Sequence, residues 1–413
     1  MSRHTHPDNV AAPSLGTYEQ AREIFSSARV GYIRGSGNAA SIKLEKAAAK
    51  YLSGTGSAAG VVLTSCGQAA NMTALETLIP PKVLRHENPH LVVSKRIFGT
   101  TRTGIVERLA NAGAEVTWVD PRDVGNFAAA IKPNTRAILA ETSSNPQGTL
   151  MDFAALHKMT RERAVPLILD HTFTAGSSFR ALEFADIVTL SFTKQAGGGG
   201  NNVTGGAILE RGDFPWASHY DRYPKFAETF PPVNGQAPAL PRDAFSTVAR
   251  KLGVWAATAV MSAHDANTAR KLLPGLAERY KRHTRNAAMV ADILDAHPAV
   301  AEVKLPGWQN RDENDARARQ YLGGNGHVIL FSLNGGLSAA QQFVDSRALY
   351  HGVALGQAFT AIAVPRITTH RQYTLDELHD RDINPEAIRM SVGVERPDVL
   401  RKAVRTALNA VKI

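Results

Sequence analysis

The sequence predicts an α/β protein, with a mainly parallel, helix-flanked sheet followed by a smaller α+β part. Three observations carry this. From about Ile42 to Ile208, short apolar runs alternate with segments of helical periodicity, the pattern of a parallel sheet joined by crossover helices. Two long helical stretches follow, Phe245 to His264 and Asn267 to Ala296. Beyond them strands and helices mix, which places the main boundary near residues 240–265.

In order, Ile42 to Leu52 reads as a helix, Val61-Val62-Leu63 as a strand and Gln68 to Leu78 as a helix. Leu91-Val92-Val93 is a strand, followed by a loop and the helix Gly104 to Ala112. Glu115 to Val119 and Ala137 to Ala140 are strands, and Phe153 to Arg163 a helix. Two apolar strands then end near Asp170 and Ser191, and Ala207-Ile208-Leu209 is another. Phe214 to Pro241, rich in Pro, aromatics and charge, reads as an irregular functional loop. His327 to Leu333 is a strand, and Ala339 to Ala348 and Pro397 to Val411 are helices. No internal repeat is present, and the only low-complexity tract is Gly197 to Gly200.

At 413 residues the chain is long enough for two or more domains with substantial cores. A hydrophobic fraction of 44% and a charged fraction of 20% are those of an ordinary globular protein. No run approaches the ~20 apolar residues that span a bilayer, and Met1 to Pro13 lacks the apolar core of a secretory signal, so no membrane association is expected. A single cysteine, Cys66, excludes an intrachain disulfide framework and fits a reducing cytoplasm. Cys66 reads either as a nucleophile or, more simply, as a small residue in a strand-to-helix turn. The net charge of +10 is scattered. Its densest run, Arg270 to Arg285, has the spacing of a solvated helix face, and the chain carries no known nucleic-acid-binding motif, so no nucleic-acid partner is expected. An anionic cofactor or cosubstrate is the next reading, and no metal site is expected.

The chemistry gathers at Lys194. Ala185 to Thr193 is too apolar for a surface face, yet it ends on Ser191, Thr193 and an amine. Leu167-Ile168-Leu169-Asp170 ends on a carboxylate, and Ser65-Cys66-Gly67-Gln68 lies where helix N-terminal amides favour an anion. Singly, these read equally well as a surface lysine, a helix cap and a turn. Together, an amine, an acid at a strand end and phosphate donors are the parts that hold pyridoxal 5'-phosphate (PLP) as a Schiff base.

Five segments in one order resemble the Cys/Met-metabolism PLP-dependent enzymes, which include cystathionine γ-synthase, cystathionine lyases, methionine γ-lyase and O-acylhomoserine sulfhydrylases. They are Ser65-Cys66-Gly67-Gln68, Glu141 to Pro146, Asp170-His171-Thr172-Phe173, Ser191 to Lys194 and Arg389 to Glu395. Arg279 to Val300, Pro365 and Thr369-His370 are similar too, and the resemblance covers roughly residues 30–410. It implies the fold type I of PLP-dependent transferases, with a seven-stranded sheet in the large domain. It also implies an N-terminal arm over 1–48, a PLP-binding domain over 49–255 and a C-terminal domain with its linking helix over 256–413.

By the same resemblance, Lys194 carries the cofactor and moves protons, and Asp170 pairs with the ring nitrogen. Gly67, Gln68, Ser191 and Thr193 hold the phosphate. Asn145 contacts the ring hydroxyl or the substrate carboxylate, which Arg389 clamps. Tyr32 and Arg34, in a Tyr-x-Arg segment one residue longer than usual before Gly37-Asn38, reach a neighbouring subunit's phosphate. A homo-oligomer follows, a tetramer of paired active-site dimers.

Three departures bear on the reaction. Phe98 stands where the family has Tyr, able to stack on the cofactor but without a hydroxyl to exchange a proton. Gly198-Gly199-Gly200-Asn201-Asn202 replaces Gly-His-Ser-Asp and is expected to widen the site or loosen the loop. Ala354 to Ala361 replaces the substrate segment, with Ala354 and Thr360 as candidate substrate contacts. A γ-substituent that leaves without a proton suits such a site. The expected activity is γ-elimination or γ-replacement on S-adenosylmethionine or an O-activated homoserine, with a bulky or anionic second substrate tolerated. The alternatives are a cystathionine/methionine γ-lyase or β-lyase, or a catalytically inactive binding module of the same fold.

Overall fold

The computed structural model describes residues 39–53, 58–199, 203–257 and 259–412. Tyr32 and Arg34, with most of the expected N-terminal arm, lie outside these residues, as do Gly200, Asn201 and Asn202.

Seven strands form the larger sheet: β1 (Gly60–Thr64), β2 (His90–Ser94), β3 (Glu115–Val119), β4 (Thr135–Glu141), β5 (Leu167–Asp170), β6 (Ile187–Ser191) and β7 (Gly206–Glu210). Their order is β1-β7-β6-β5-β4-β2-β3. The pairs from β6 across to β3 are all parallel, and β7 runs antiparallel to both its neighbours. Parallel strands need crossovers on both faces, so their side chains are buried in both directions. Alternate residues accordingly divide between two cores. Val92, Ile138, Leu169 and Val188 meet Leu44, Phe153 and Leu156 on one face. Leu91, Val93, Leu139 and Ile168 meet Leu75, Leu78 and Ile105 on the other.

The smaller sheet contains β8 (Val300–Lys304), β9 (Val328–Leu333), β10 (Tyr350–His351), β11 (Ala361–Ala363) and β12 (Ile388–Ser391), in the order β10-β11-β12-β9-β8. All its pairs are antiparallel except β10 with β11. Ala287, Val290 and Leu294 of the helix Leu276–Asp295 share its core with Phe343, Leu400 and Val404.

Several expected elements differ. Phe245 to His264 is not one helix. A helix spans Ala244–Ala249, loosens into a π-type turn over Arg250–Ala256, and a new helix begins at Ala263. Gly253 permits the close approach there, since a Cβ on it would lie 2.3 Å from Thr73. Ser262 then caps the next helix through the Asp265 amide at 3.0 Å. The second long helix is also divided, at Leu273–Gly275, where Pro274 supplies no amide hydrogen. Gly104 to Ala112 begins earlier, at Gly99, and passes into a π-type turn over Val106–Ala110.

The stretch Phe214 to Pro241 is ordered by its aromatics. Trp216 stacks on Phe226 with ring centroids 4.4 Å apart, Phe214 packs on Trp216 at 4.3 Å, and Tyr223 donates to the Arg136 carbonyl at 3.0 Å. These four side chains are buried with Phe245 in the second core, so the first part of the stretch packs, while residues 231–241 are irregular and largely exposed.

The glycine loop after Lys194 is a close crossing. Gly198 and Gly199 take φ of +89° and +67°, and a Cβ on Gly199 would lie 1.2 Å from the Gly356 carbonyl oxygen. The described glycines are thus used to bring two backbones together, not to open the site. Gly199→Ala is therefore expected to lower the thermal midpoint far more than Gly235→Ala. At Gly235 the φ is +76° with nothing within 4 Å of the added Cβ. That control carries only the left-handed backbone cost of ~1–2 kcal/mol. Equal shifts in thermal melts of the two variants would exclude the crossing as a constraint.

Candidate active site

The carboxyl ends of β4, β5 and β6 open onto one cavity, the usual ligand position in a parallel α/β sheet. Its volume is about 790 Å³ including its mouth, and its walls include Gly67, Gln68, Phe98, Asn145, Asp170, Ser191, Lys194 and Arg389. Residues from the two ends of the chain thus meet on a single surface.

At one end of the cavity, β1 turns into the twelve-residue helix Gly67–Leu78. Cys66 is its N-cap, with Sγ accepting from the Ala69 amide at 3.4 Å, so the thiol has a capping role in the turn. The Gly67 and Gln68 amides belong to the first turn, whose N–H groups have no partner within the helix. A Cβ on Gly67 would lie 2.5 Å from the Ser191 Cβ, so only glycine lets the helix start against the end of β6. Ser191 Oγ accepts from the Thr193 amide at 3.2 Å. A helix N-terminus edged by a hydroxyl is a cradle for a phosphate.

Asp170, at the end of β5, is buried, and its two oxygens have separate donors. Oδ2 accepts from Asn71 Nδ2 at 2.8 Å and Oδ1 from the Thr172 amide at 2.9 Å. Burial raises its pKa above the usual carboxylate value, while both donors pull it down. Glu141 stands beside it in the β4–β5 register and accepts from the Phe98 amide at 2.6 Å. Burial, reinforced by the Asp170 charge, holds the Glu141 carboxyl well above its ordinary range.

Lys194 follows β6 and is half-buried on the cavity wall. Burial, helped by the nearby Arg389 charge, lowers its amine pKa. That favours the neutral nucleophile. Arg389, on β12, is 1% exposed. It donates to Asn145 Oδ1 at 3.3 Å and to the Val353 carbonyl at 2.6 Å, and its Nε has no partner. Burial lowers its pKa to about 10. Among the described residues no carboxylate lies within ion-pair distance of it. A buried guanidinium without an anion is costly, so this one is suited to an incoming carboxylate.

Other expected site residues lie elsewhere. Thr193 is beside the cradle but not on the cavity wall. Ala354 is off the wall, which its neighbours Val353 and Leu355 form instead. Thr360 is buried away from the cavity, where its hydroxyl donates to Glu395 Oε2 at 3.0 Å and accepts from the Gly393 amide at 2.9 Å. The wall also includes Asn71, Thr101, Glu141, Thr172, Phe173 and Thr369, none of which was a candidate site residue from sequence. Asn71 is one of several polar residues in its helix, with Gln68, Thr73, Glu76 and Thr77, and sequence alone does not single it out.

PLP fits this donor set. The cradle suits a phosphate, the Asp170 carboxylate suits a protonated ring nitrogen, Phe98 offers an aromatic face, and Lys194 supplies a desolvated amine. The unpaired guanidinium remains for an amino-acid carboxylate.

Comparisons with known proteins agree. The model of the Cys/Met metabolism PLP-dependent enzymes matches residues 10–409. An O-acetyl-L-homoserine sulfhydrylase of Corynebacterium glutamicum is 32% identical over 345 residues, covering 82% of this chain and 77% of the relative. A homocysteine synthase of Schizosaccharomyces pombe is 30% identical over 348 residues, covering 82% and 79%. Among solved structures, one assigned as an O-acetylhomoserine (thiol)-lyase of Campylobacter jejuni superposes with a TM-score of 0.84 at 25% identity, covering 96% of this chain and 93% of that one. It contains a lysine joined to pyridoxyl phosphate. A cystathionine γ-lyase of Lactobacillus plantarum, complexed with L-serine, gives 0.75 at 25% identity, covering 92% and 88%. The cavity, its donor set and these likenesses lead to one conclusion: this chain belongs to the Cys/Met metabolism PLP-dependent enzymes and is a PLP-dependent enzyme of fold type I.

Proposed function

We propose that the protein catalyses γ-replacement on an O-activated homoserine. The observation that carries the reading is Arg389, a buried cation with no protein anion, on the same cavity wall as Lys194 and Asp170. It suits an α-amino acid substrate held by its carboxylate. The O-acyl preference is supported by Phe98 on that wall and by the relatives that act on O-acetyl-L-homoserine.

PLP, when bound, supplies an electron sink for the bonds at the substrate Cα. The protein's own groups do the rest. The guanidinium of Arg389 and the amide of Asn145 hold the α-carboxylate and fix the amino acid's orientation. The Lys194 amine, whose neutral form is favoured by burial and by the Arg389 charge, takes the Cα proton and then serves Cβ. The O-acyl group departs as a stabilised carboxylate and needs no proton, so Phe98 in place of a tyrosine does not impede it. Phe98, Phe173, Val353 and Leu355 give the cavity an apolar wall that limits water at Cγ and favours capture by the incoming nucleophile.

Steady-state assays with O-acetylhomoserine, O-phosphohomoserine, S-adenosylmethionine, cystathionine and methionine, each with sulfide or a thiol, test this reading. An O-activated homoserine is expected to give the highest kcat/KM, and a preference for cystathionine or methionine would sink the proposal. Arg389→Leu should lower kcat/KM roughly 100-fold or more, the ~3 kcal/mol scale of a hydrogen-bonded buried charge. Cofactor absorbance should be retained in that variant. Phe98→Tyr should raise turnover of cystathionine relative to O-acetylhomoserine, and an unchanged ratio would show that the hydroxyl has no bearing on leaving-group choice.

A further inference from the structure

Asp170 has a support that sequence comparison of motifs does not reveal. Asn71, 2% exposed, lies one turn inside the helix whose N-terminus forms the phosphate cradle. Its Oδ1 accepts from the hydroxyl of Thr189, which is fully buried in the middle of β6. That bond fixes the amide with Nδ2 turned toward Asp170, to which it donates at 2.8 Å. The same nitrogen reaches Thr101 Oγ1 at 3.3 Å, and the Thr101 hydroxyl donates to Gln68 Oε1 at 3.2 Å. Every hydrogen in this row has one direction, from Thr189 through Asn71 to Asp170 on one branch and to Gln68 on the other.

We infer that Asn71, oriented by Thr189, is a positioning residue that keeps the Asp170 carboxylate ionised and aimed at the cofactor ring nitrogen, and that ties this acid to the phosphate cradle through Thr101 and Gln68. An Asn71 side chain turned the other way would set a carbonyl oxygen against a carboxylate, which both the Thr189 hydroxyl and Asp170 oppose. Without the Asn71 amide, Asp170 keeps only Thr172 to favour its charged form, in a site where burial already favours the neutral one. The charged or titratable groups around it are Glu141 from β4, Lys194 after β6, Arg389 from β12 and His171, the residue that follows β5. Burial lowers the His171 pKa to about 4. Burial and the Asp170 charge favour the neutral form of Glu141, so the donors to Asp170 act chiefly against burial.

The inference rests on PLP binding and not on the choice of amino acid. Its test therefore uses no substrate, and its failure would leave the homoserine reading untouched. PLP dissociation constants and the visible spectrum of the bound cofactor are measured from pH 5 to 9 for the wild type, Asn71→Leu, Thr189→Val and Thr189→Ser. Thermal melts of the apoproteins report folding. Loss of one hydrogen bond to a charged group predicts a roughly ten- to hundredfold weaker PLP affinity in Asn71→Leu. The acid limb of binding should move up by about one pH unit, because Asp170 now takes its proton at higher pH. Thr189→Val, close to isosteric, should show the same shift to a smaller degree, and Thr189→Ser should restore the wild-type limb. A general packing defect lowers the melting point without moving the limb. Should Asn71→Leu fail to fold, the Thr189 pair decides: a limb that moves in Val and returns in Ser supports the inference. Folded variants with an unmoved limb and affinity within about twofold of wild type overturn it.

Discussion

Two buried ionic groups that do not neutralise each other govern this structure. Asp170 and Arg389 are each almost fully enclosed, and neither is within ion-pair distance of an opposite charge among the described residues. Burying a charge without a counter-charge is among the costlier acts a fold performs. The surroundings explain how each is kept. Asp170 has an amide side chain and a backbone N–H, both donors. Arg389 has a carbonyl and an amide oxygen, both acceptors. Each charge is solvated by fixed dipoles that leave room for a ligand; in the proposed function the counter-charges come with the cofactor ring and the substrate carboxylate. The two cores of the large sheet and the third core of the small one are what hold these dipoles still.

Much of this was legible in the chain. Lys194 and Asp170 stood out because apolar strands ended on them, and a polar group at the end of a buried strand is exposed to whatever the sheet's carboxyl edge holds. The strand-helix alternation from Ile42 to Ile208 predicted the large sheet because parallel strands, buried on both faces, are unbroken apolar runs. Other features had no such signature. The smaller sheet's strands are short, β10 and β11 spanning two and three residues, too few to display a period. The breaks at Gly253 and Pro274 interrupt patterns that remain helical on both sides. The aromatic stretch from Phe214 resembled a loop because its burial depends on Phe245 and on β-strand contacts far along the chain. Asn71 needed three dimensions, since its partners are 99 and 118 residues away.

The segment around Ala354 shows why motif position is not cavity position. Val353 and Leu355 reach the wall and Ala354 does not, while Thr360 is bonded into the Glu395 network. A rebuilt substrate segment can keep its place in sequence while different members of it face the ligand. What this segment keeps on the cavity wall, Val353 and Leu355, is apolar.

The crossing of Gly199 over Gly356 ties the loop after the catalytic-site lysine to the segment that leads to the small sheet's cavity-facing residues. Gly199 is required by the Gly356 carbonyl, 157 positions on, and Gly356 in turn by Gln195, beside Lys194. For recombination between relatives this is a seam that must be inherited whole. A chimaera that takes its first half from one parent and its last from another joins two backbones selected for different separations, just five residues from Lys194. Such hybrids would retain every motif and yet strain this crossing, so exchange of specificity among these proteins is expected to proceed by paired loops and not by whole domains.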